Sequence, residues 1–252
     1  MSTIEILTIG DELINGSRTN TNATWLAKQV TNLGLIVERI ITIGDSVREI
    51  SSTIKGILNR KPSALLITGG LGPTPDDRTL EAVANSIDRE LISDEKATEL
   101  VKNSYSRLKS NGIVKKEELN ESREKMTYIP EGSEPLPNPV GAAPGIHLRT
   151  DRTHLFVLPG VPKEMQAIFN ESIKDILAGF GGQKKHTETM VIKEGDESMI
   201  SPLIEKIEED FPKVELHSYP SEGEVQVVFT SLNSKEVSSA KEAFEDLLKS
   251  LN

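Results

Sequence analysis

The stretch Ala64-Leu65-Leu66-Ile67-Thr68-Gly69-Gly70-Leu71-Gly72 carries the strongest fold signal in the chain. Its first five residues form a short apolar run of the kind found in the central strand of a parallel sheet. The glycines that follow allow a tight turn and a close approach of the backbone to a ligand, and a helix start beyond them offers N–H groups to an anion. The stretch therefore predicts a strand, a phosphate-binding turn and a helix in succession.

Strand-like and helix-like segments alternate on the amino-terminal side of this stretch. Strands are predicted at Thr3–Ile9 and Ile36–Ile43, and helices over 22–33 and 47–59, the second with Ser46 as its cap. This β-α-β order implies right-handed crossovers. We therefore predict an α/β fold, a three-layer sandwich with a mostly parallel sheet.

The carboxyl-terminal side of the stretch begins with charged helical patterns. Two helices are predicted between 93 and 125, with a break near 111–112. The segments 146–149 and 154–158 are predicted to form an antiparallel pair of strands at the edge of the sheet. A helix is predicted over 163–177.

We predict two domains, a large α/β domain over 1–178 and a small α+β domain over 183–252. The glycine-rich segment between them has the composition of a linker. The second domain has the pattern β-α-β-β-α. From Lys184 onward it contains 8 lysines and no arginine against 15 acidic residues, so it holds most of the acidity of the chain.

Composition limits the class of protein. The chain has 252 residues, a formal net charge of −10 and no cysteine, which excludes disulfides, thiolate metal sites and cysteine nucleophiles. We predict a cytoplasmic location and no membrane partner, because no apolar stretch approaches the length of a membrane span and no signal-like segment opens the sequence. The net negative charge argues against a nucleic-acid partner, since phosphate backbones are held by clustered lysine and arginine.

Three loops follow the carboxyl ends of predicted strands, where ligands bind in open α/β sheets. They are loop 1 (10–16), loop 2 (68–79) and loop 3 (158–163). Loop 2 is neither a P-loop, because no Gly-Lys-Ser/Thr follows, nor a clean dinucleotide fingerprint.

Asp76 and Asp77 place two negative charges in loop 2, where an anion would bind. One interpretation is that they cap the following helix. The other is that at least one carboxylate holds Mg²⁺ or a similar cation that bridges ligand phosphates. Both interpretations are compatible with the sequence.

Other polar residues in the loops also allow two interpretations. Asp11 and Glu12 are either solvated turn residues or partners in a shared cation site. Asn20 either caps a helix or contacts the ligand. Lys163, at a helix start that disfavours a cation, suggests an anionic partner. The four histidines show no metal-ligand spacing and are interpreted as structural or exposed.

Taken together, these segments resemble the CinA family (competence/damage-inducible protein A), whose main domain belongs to the molybdopterin-binding, MogA/MoaB-like superfamily. The resemblance rests on Gly10-Asp11-Glu12-Leu13 with Gly16, on 20–27, on 68–77, on 138–145 and on 158–165, in the order found in the family. It covers about the first 170 residues. The β-α-β-β-α segment looks like the small KH-like domain of the same family.

The resemblance implies metal-dependent hydrolysis of ADP-ribose to AMP and ribose 5-phosphate, with Mg²⁺, Co²⁺ or Ni²⁺ as cofactor. Asp77, Asp76 and Glu12 would be the catalytic residues, and Asp77 and Asp11 the metal ligands. The residues expected to bind the ligand are Gly10, Asp11, Asn20, Thr68, Gly69, Gly70, Gly72, Thr79, Gly145, Pro159, Gly160, Pro162 and Lys163. The chain ends at Asn252 without the deamidase domain of full-length bacterial members, so we do not expect deamidase activity.

Two further functions stay open. The first is a molybdopterin or pterin-phosphate protein of cofactor biosynthesis, either binding or transferring an adenylyl group, because fold does not fix function. The second is a non-catalytic nucleotide-binding protein. In each case the expected partner is a small nucleotide or pterin phosphate, and the resemblance implies a homo-oligomer, a dimer or a trimer.

Overall fold

The computed structural model describes residues 2–193 and 197–250. The chain divides into two compact units, Met1–Gly182 and Gln183–Asn252. The strands of the first unit are β1 (Thr3–Ile9), β2 (Ile36–Ile43), β3 (Ala64–Thr68), β4 (Leu91–Ser93), β5 (Tyr128–Pro130), β6 (Glu134–Leu136), β7 (Gly145–Arg149) and β8 (His154–Leu158). Its helices are α1 (Asp11–Ile14), α2 (Thr21–Asn32), α3 (Val47–Arg60), α4 (Thr79–Ser86), α5 (Glu95–Ser110), α6 (Glu121–Glu124), α7 (Pro162–Ile168) and α8 (Lys174–Ala178).

Six strands form the main sheet in the order β2-β1-β3-β8-β7-β6. The pairs β2–β1, β1–β3 and β3–β8 are parallel, and β7 and β6 extend the sheet antiparallel to their neighbours. The predicted α/β fold with a mainly parallel sheet is confirmed. The predicted hairpin at its edge is also confirmed, although β7 lies between β8 and the short strand β6.

Helices cover both faces of this sheet. Leu65 packs in a core with α3, α4 and α5, whereas the next residue, Leu66, packs in a second core with α2 and α7. Both leucines are fully buried. Because successive strand residues point to opposite faces, a strand that is apolar at every position must be covered on both sides. This explains the unbroken apolar run in β3.

Glu5 is a charged residue in the middle of β1 and is fully buried. Its carboxylate accepts hydrogen bonds from Arg60 Nε at 2.8 Å and from Arg60 Nη2 at 2.5 Å, and Arg39 Nη1 lies 3.4 Å from the same group. Two guanidinium groups therefore compensate the charge that burial would otherwise disfavour.

Several local predictions differ from the structure. Ser46 occupies the N-cap position of α3 but its side chain makes no capping hydrogen bond. The second helix predicted between 112 and 125 is only the single turn α6, followed by a 3-10 turn over Lys125–Thr127. The helix predicted over 163–177 contains a π-helical segment, Phe169–Ile173, between α7 and α8. β4, β5 and β6 are three residues each, too short to show a periodic pattern.

The second unit has the predicted β-α-β-β-α order. It comprises β9 (His186–Lys193), α9 (Glu197–Asp210), β10 (Glu215–Ser221), β11 (Glu224–Ser231) and α10 (Ser234–Lys249). The strands form an antiparallel sheet in the order β10-β11-β9. Its own apolar core includes Phe229 and Phe244, which pack edge to face with ring centroids 5.5 Å apart.

Within the described ranges, no helix is long and apolar enough to span a membrane.

Candidate ligand site at the carboxyl edge of the sheet

The three loops predicted from the sequence lie at one edge of the main sheet. Loop 1 is tied to β2 by the hydrogen bond from Gly10 N to Ile43 O, 3.0 Å. Loop 2 is tied to the end of β8 by the bond from Gly69 N to Leu158 O, 3.0 Å. Since β7 runs antiparallel to β8, its first residue, Gly145, also lies at this edge.

Loop 2 requires glycine at two positions. Gly69 has φ +115° and Gly70 has φ +67°, values that other residues rarely adopt. A Cβ on Gly69 would overlap the carbonyl oxygen of Ile9, and one on Gly70 would overlap the hydroxyl of Thr79. The Thr79 hydroxyl also donates to Gly69 O at 2.8 Å. The turn is therefore packed against both β1 and the start of α4.

Asp77 stabilises the turn of loop 2. One oxygen of its carboxylate accepts hydrogen bonds from Thr74 N at 2.9 Å and from Thr74 Oγ1 at 2.6 Å. α4 begins only at Thr79, with Arg78 at the N-cap position and no side-chain cap. The helix-capping interpretation of Asp76 and Asp77 is therefore wrong for α4.

A further acidic residue, Asp45, lies beside loop 1. Asp11 N donates to Asp45 Oδ2 at 2.8 Å, and Asp45 N donates to Asp11 Oδ1 at 3.1 Å. Burial raises the pKa of the Asp45 carboxyl, and the negative charges of Asp11, Glu12 and Asp77 add to the rise, while the hydrogen bond from Asp11 N opposes it. Predicted site residues of both loop 1 and loop 2 therefore raise the pKa of the Asp45 carboxyl through their charges.

Asp45 was not among the predicted site residues, although its position in the sequence is a recognisable one. Gly44-Asp45 directly follows β2, so it occupies the same kind of position as loops 1, 2 and 3. A Cβ on Gly44 would overlap the Asp11 carboxylate, which shows how closely the two chain segments pack.

These carboxylates do not by themselves form a complete metal cage. In the ranges 2–193 and 197–250, no three Asp, Glu or His side chains are grouped so that they could hold a metal ion. Magnesium-type cations are commonly bound by one or two carboxylates together with substrate phosphates. Asp11 and Asp77, the two predicted metal ligands, have the oxygen chemistry for such a shared site.

Two asparagines at the start of α2 connect the strand ends. Asn20 Oδ1 accepts from Ala23 N at 3.1 Å, so the predicted capping role of Asn20 is observed. Its Nδ2 donates to Thr8 Oγ1 at 2.8 Å and to Thr42 Oγ1 at 3.1 Å. Asn22, which was not among the predicted site residues, joins loop 2 to loop 3.

The other predicted binding residues differ in exposure. Thr68, Thr79, Gly145 and Pro159 are buried, and the Thr68 hydroxyl donates to Pro159 O at 2.8 Å, so these residues support the loops from within. The exposed residues are Asp11, Glu12, Asp76, Gly160, Pro162 and Lys163, while Asn20, Gly70, Gly72 and Asp77 are half-buried. Direct ligand contact remains a prediction for all of them.

A cleft of about 190 Å³ opens beside loop 2. Gly70, Gly72 and Asp77 of loop 2 are among the residues that line it. The apolar and aromatic residues that line it are Leu71, Leu80, Leu91, Met126 and Tyr128, with Arg78, Glu81 and Lys125 as the charged ones. An apolar wall beside a few polar groups is typical of sites that bind flat rings.

Two histidines contact each other on neighbouring strands of the main sheet. His147 Nε2 and His154 Nδ1 lie 3.0 Å apart, on the neighbouring strands β7 and β8. Burial lowers the pKa of both imidazoles. The structural interpretation of these residues agrees with this contact, although the sequence spacing did not reveal the pairing.

Comparison with known proteins gives the family. Residues 5–179 match a family described as "Probable molybdopterin binding domain". The chain belongs to this molybdopterin-binding domain family. A protein of Pyrococcus furiosus is 44% identical over 216 residues, which cover 86% of this chain and 84% of the relative. A protein of Pyrobaculum aerophilum is 36% identical over 256 residues, which cover 97% of this chain and 93% of the relative.

A solved structure supports the resemblance to CinA. The protein CinA of Thermoplasma acidophilum, described as having unknown function, is 34% identical with a TM-score of 0.62. The match covers 69% of this chain and 99% of that one. The predicted membership in the CinA-like, molybdopterin-binding group is therefore confirmed.

Proposed function

We propose that this protein hydrolyses the phosphoanhydride bond of a nucleotide-sugar diphosphate of the ADP-ribose class, with a divalent cation as cofactor. The observation that carries the proposal is the group of carboxylates around Asp45. Asp11 and Asp45 each donate a backbone N–H to the carboxylate of the other. The negative charges of Glu12 and Asp77 also raise the pKa of the Asp45 carboxyl. Such a concentration of negative charge next to a glycine-rich turn suits a cation that is shared with ligand phosphates.

The glycine turn supports the same proposal. Gly69 and Gly70 adopt positive φ values that set a tight turn at the end of β3, and the backbone N–H groups of such a turn can bind a phosphate. Lys163 is exposed at the start of α7 in loop 3 and could add a positive charge. The site thus combines donors for phosphate oxygens with acceptors for a cation.

The cleft beside loop 2 suits the nucleobase. Its wall contains Met126 and Tyr128, and Tyr128 is 40% exposed and accessible for stacking. A ligand with phosphates at loop 2 and a flat ring in the cleft would use both features.

The proposed reaction is an ordinary displacement at phosphorus. A water oxygen bonds to one phosphorus atom, the bond from that phosphorus to the bridging oxygen breaks, and the bridging oxygen leaves with the second phosphate. Both water protons are released to solvent, which gives AMP and ribose 5-phosphate. When bound, the cation would offset charge on the phosphate oxygens and acidify a water molecule. Asp77 and Asp11 are proposed to hold the cation together with the ligand phosphates, and Glu12 and Asp76 to orient the water. Asp45 would position Asp11, whose Oδ1 accepts a hydrogen bond from Asp45 N.

The experiment is incubation of the purified chain with ADP-ribose and Mg²⁺, Co²⁺ or Ni²⁺, with AMP and ribose 5-phosphate measured by chromatography. We expect equal amounts of the two products with at least one cation and none with chelator. No AMP with any of the three cations would contradict the proposal. Binding of ADP-ribose without turnover would instead indicate a non-catalytic nucleotide-binding protein.

A second candidate function is the binding of a phosphorylated pterin, or adenylyl transfer to one. The match of residues 5–179 to the molybdopterin-binding family favours it, and the cleft would accept a pterin ring as well as a purine. Pterin fluorescence that copurifies with the protein, without ADP-ribose turnover, would support this function.

We also propose a dimer or trimer, which light scattering during size-exclusion chromatography would test.

A further inference from the structure

We propose that Asn22 is a positioning residue, which fixes loop 2 against loop 3 for phosphate binding and lowers the folding stability of the chain by doing so. The inference rests on the proposed function, because it assigns a role within the same site. Asn22 Nδ2 donates to Thr68 Oγ1 at 3.2 Å and to Gly160 O at 2.8 Å. One amide from α2 therefore joins the two loops.

The hydrogen bonds determine which way the amide of Asn22 points. The Thr68 hydroxyl donates its proton to Pro159 O at 2.8 Å, so Thr68 Oγ1 can only accept from Asn22. Gly160 O is a carbonyl and can also only accept. The Nδ2 group must face both, and Oδ1 must point away from them.

Oδ1 of Asn22 is buried and has no hydrogen-bond donor among the residues that the structure describes. A buried acceptor that lacks a donor has lost its hydration without compensation, which disfavours folding. Buried groups of this kind are rare in native proteins, and they tend to occur where function restricts the choice of residue.

Asn20 provides the contrast, two residues earlier at the same helix start. Its Oδ1 caps the helix at Ala23 N, and its Nδ2 reaches Thr8 and Thr42. Both ends of that amide are satisfied, as expected for a residue that stabilises the fold. Asn22 satisfies only the end that faces loops 2 and 3, which points to a role in the site.

Removing the Asn22 amide should leave the loops joined but less accurately placed. The bonds from Thr68 Oγ1 to Pro159 O and from Gly69 N to Leu158 O do not involve Asn22. What is lost is the link from α2 to both loops. A displacement of about 1 Å at the reacting groups can reduce turnover by about a hundredfold.

The test compares three alanine variants of the full chain, Asn22→Ala, Asn20→Ala and Asn32→Ala. Asn32 is exposed and ends the same helix, so it is the matched control. For each variant, kcat/KM with ADP-ribose and the midpoint of urea unfolding are measured. We expect Asn22→Ala to lose at least tenfold in kcat/KM with an unchanged or higher midpoint. Asn20→Ala should lower the midpoint, and Asn32→Ala should change neither quantity.

Two results would overturn the role of Asn22: unchanged kcat/KM in Asn22→Ala, or a midpoint lowered as far as in Asn20→Ala. If the wild-type chain does not turn over ADP-ribose, the proposed function fails, and the variants are compared instead for calorimetric binding of inorganic diphosphate. Tenfold weaker binding by Asn22→Ala at unchanged midpoint would then support the inference. Equal affinities, or no binding by the wild type, would overturn it.

Discussion

Asp11 and Asp45 each donate a backbone N–H to the carboxylate of the other, at 2.8 and 3.1 Å. The two residues follow β1 and β2, which are parallel neighbours, so the exchange joins two strand ends at the ligand edge. It fixes one oxygen of each carboxylate and keeps two negative charges close together. Such an arrangement is unfavourable without a cation and favourable with one, which gives the site its first test.

Replacing Asp45 by its neutral isostere should raise stability at neutral pH. The pKa of Asp45 is raised in the folded chain from 3.8, so the protonated carboxyl is favoured by folding. This contribution is fully present below pH 3.8 and is lost as the pH rises through the folded pKa. Asp45→Asn should therefore have a higher Tm than wild type at pH 7, and the difference should shrink toward pH 3.

The control for this prediction is Asp88→Asn. Asp88 is exposed and has φ +53°, which asparagine tolerates as well as aspartate. Its Tm should follow wild type throughout the pH range. A Tm advantage of Asp45→Asn that does not depend on pH would contradict the electrostatic explanation.

Asp77→Asn should abolish turnover while the fold persists. Asparagine can still accept the two hydrogen bonds from Thr74 through its carbonyl oxygen, but it carries no charge for a cation. We expect a loss of at least about a hundredfold in kcat/KM, in the range seen for removal of one electrostatic group. Steady-state kinetics and circular dichroism of Asp77→Asn beside Asp88→Asn would check it, and equal rates in the two variants would refute the role of Asp77.

Gly69→Ala should damage both loop 2 and stability. Its φ of +115° is unfavourable for alanine, and the new Cβ would overlap Ile9 O, a backbone atom that cannot move away easily. We expect a loss of about 2 kcal/mol or more in unfolding free energy. Gly112→Ala is the matched control, because φ is +72° and a Cβ would meet nothing within 4 Å. It should cost about 1 kcal/mol, and similar losses in both variants would show that the contact with Ile9 does not matter.

Arg60→Ala should be the most destabilising charge change in the large unit. It would leave the fully buried Glu5 with only the more distant Arg39, and removal of one member of a buried pair costs about 3 kcal/mol or more. Lys96→Ala removes a pair whose members are both more than half exposed, so it should cost less than about 1 kcal/mol. Urea unfolding of the two variants measures the difference, and equal midpoints would contradict a structural role for Arg60.

The sequence predicted the fold where residue patterns are long. β1 and β2 were predicted with their observed bounds, because segments of seven and eight residues that are rich in β-branched side chains each end at a glycine. β4, β5 and β6 are formed by three residues each, and their pairing depends on distant partners that no local pattern encodes. The helix predicted near 112–125 is a single turn, Glu121–Glu124, in the structure.

The site was predicted only in part for a related reason. Loops 1, 2 and 3 carry glycines and acids that can be recognised in the sequence. Asp45 was missed because its importance arises from contact with Asp11, 34 positions away. Asn22 was missed because the sequence does not show that only its Nδ2 group forms hydrogen bonds. In the sequence alone, it resembles an ordinary capping residue. Asp77 was open to a capping interpretation until the start of α4 at Thr79 was known.

A crystal structure of the full chain soaked with ADP-ribose and Co²⁺ tests the central claim most directly, because anomalous scattering locates the cation independently of the ligand. The account predicts one cobalt peak between the diphosphate and the carboxylates of Asp11 and Asp77, with the adenine ring in the cleft beside Tyr128. Cobalt bound only elsewhere, for example at the His147 and His154 pair, or ADP-ribose bound away from loop 2, would contradict it.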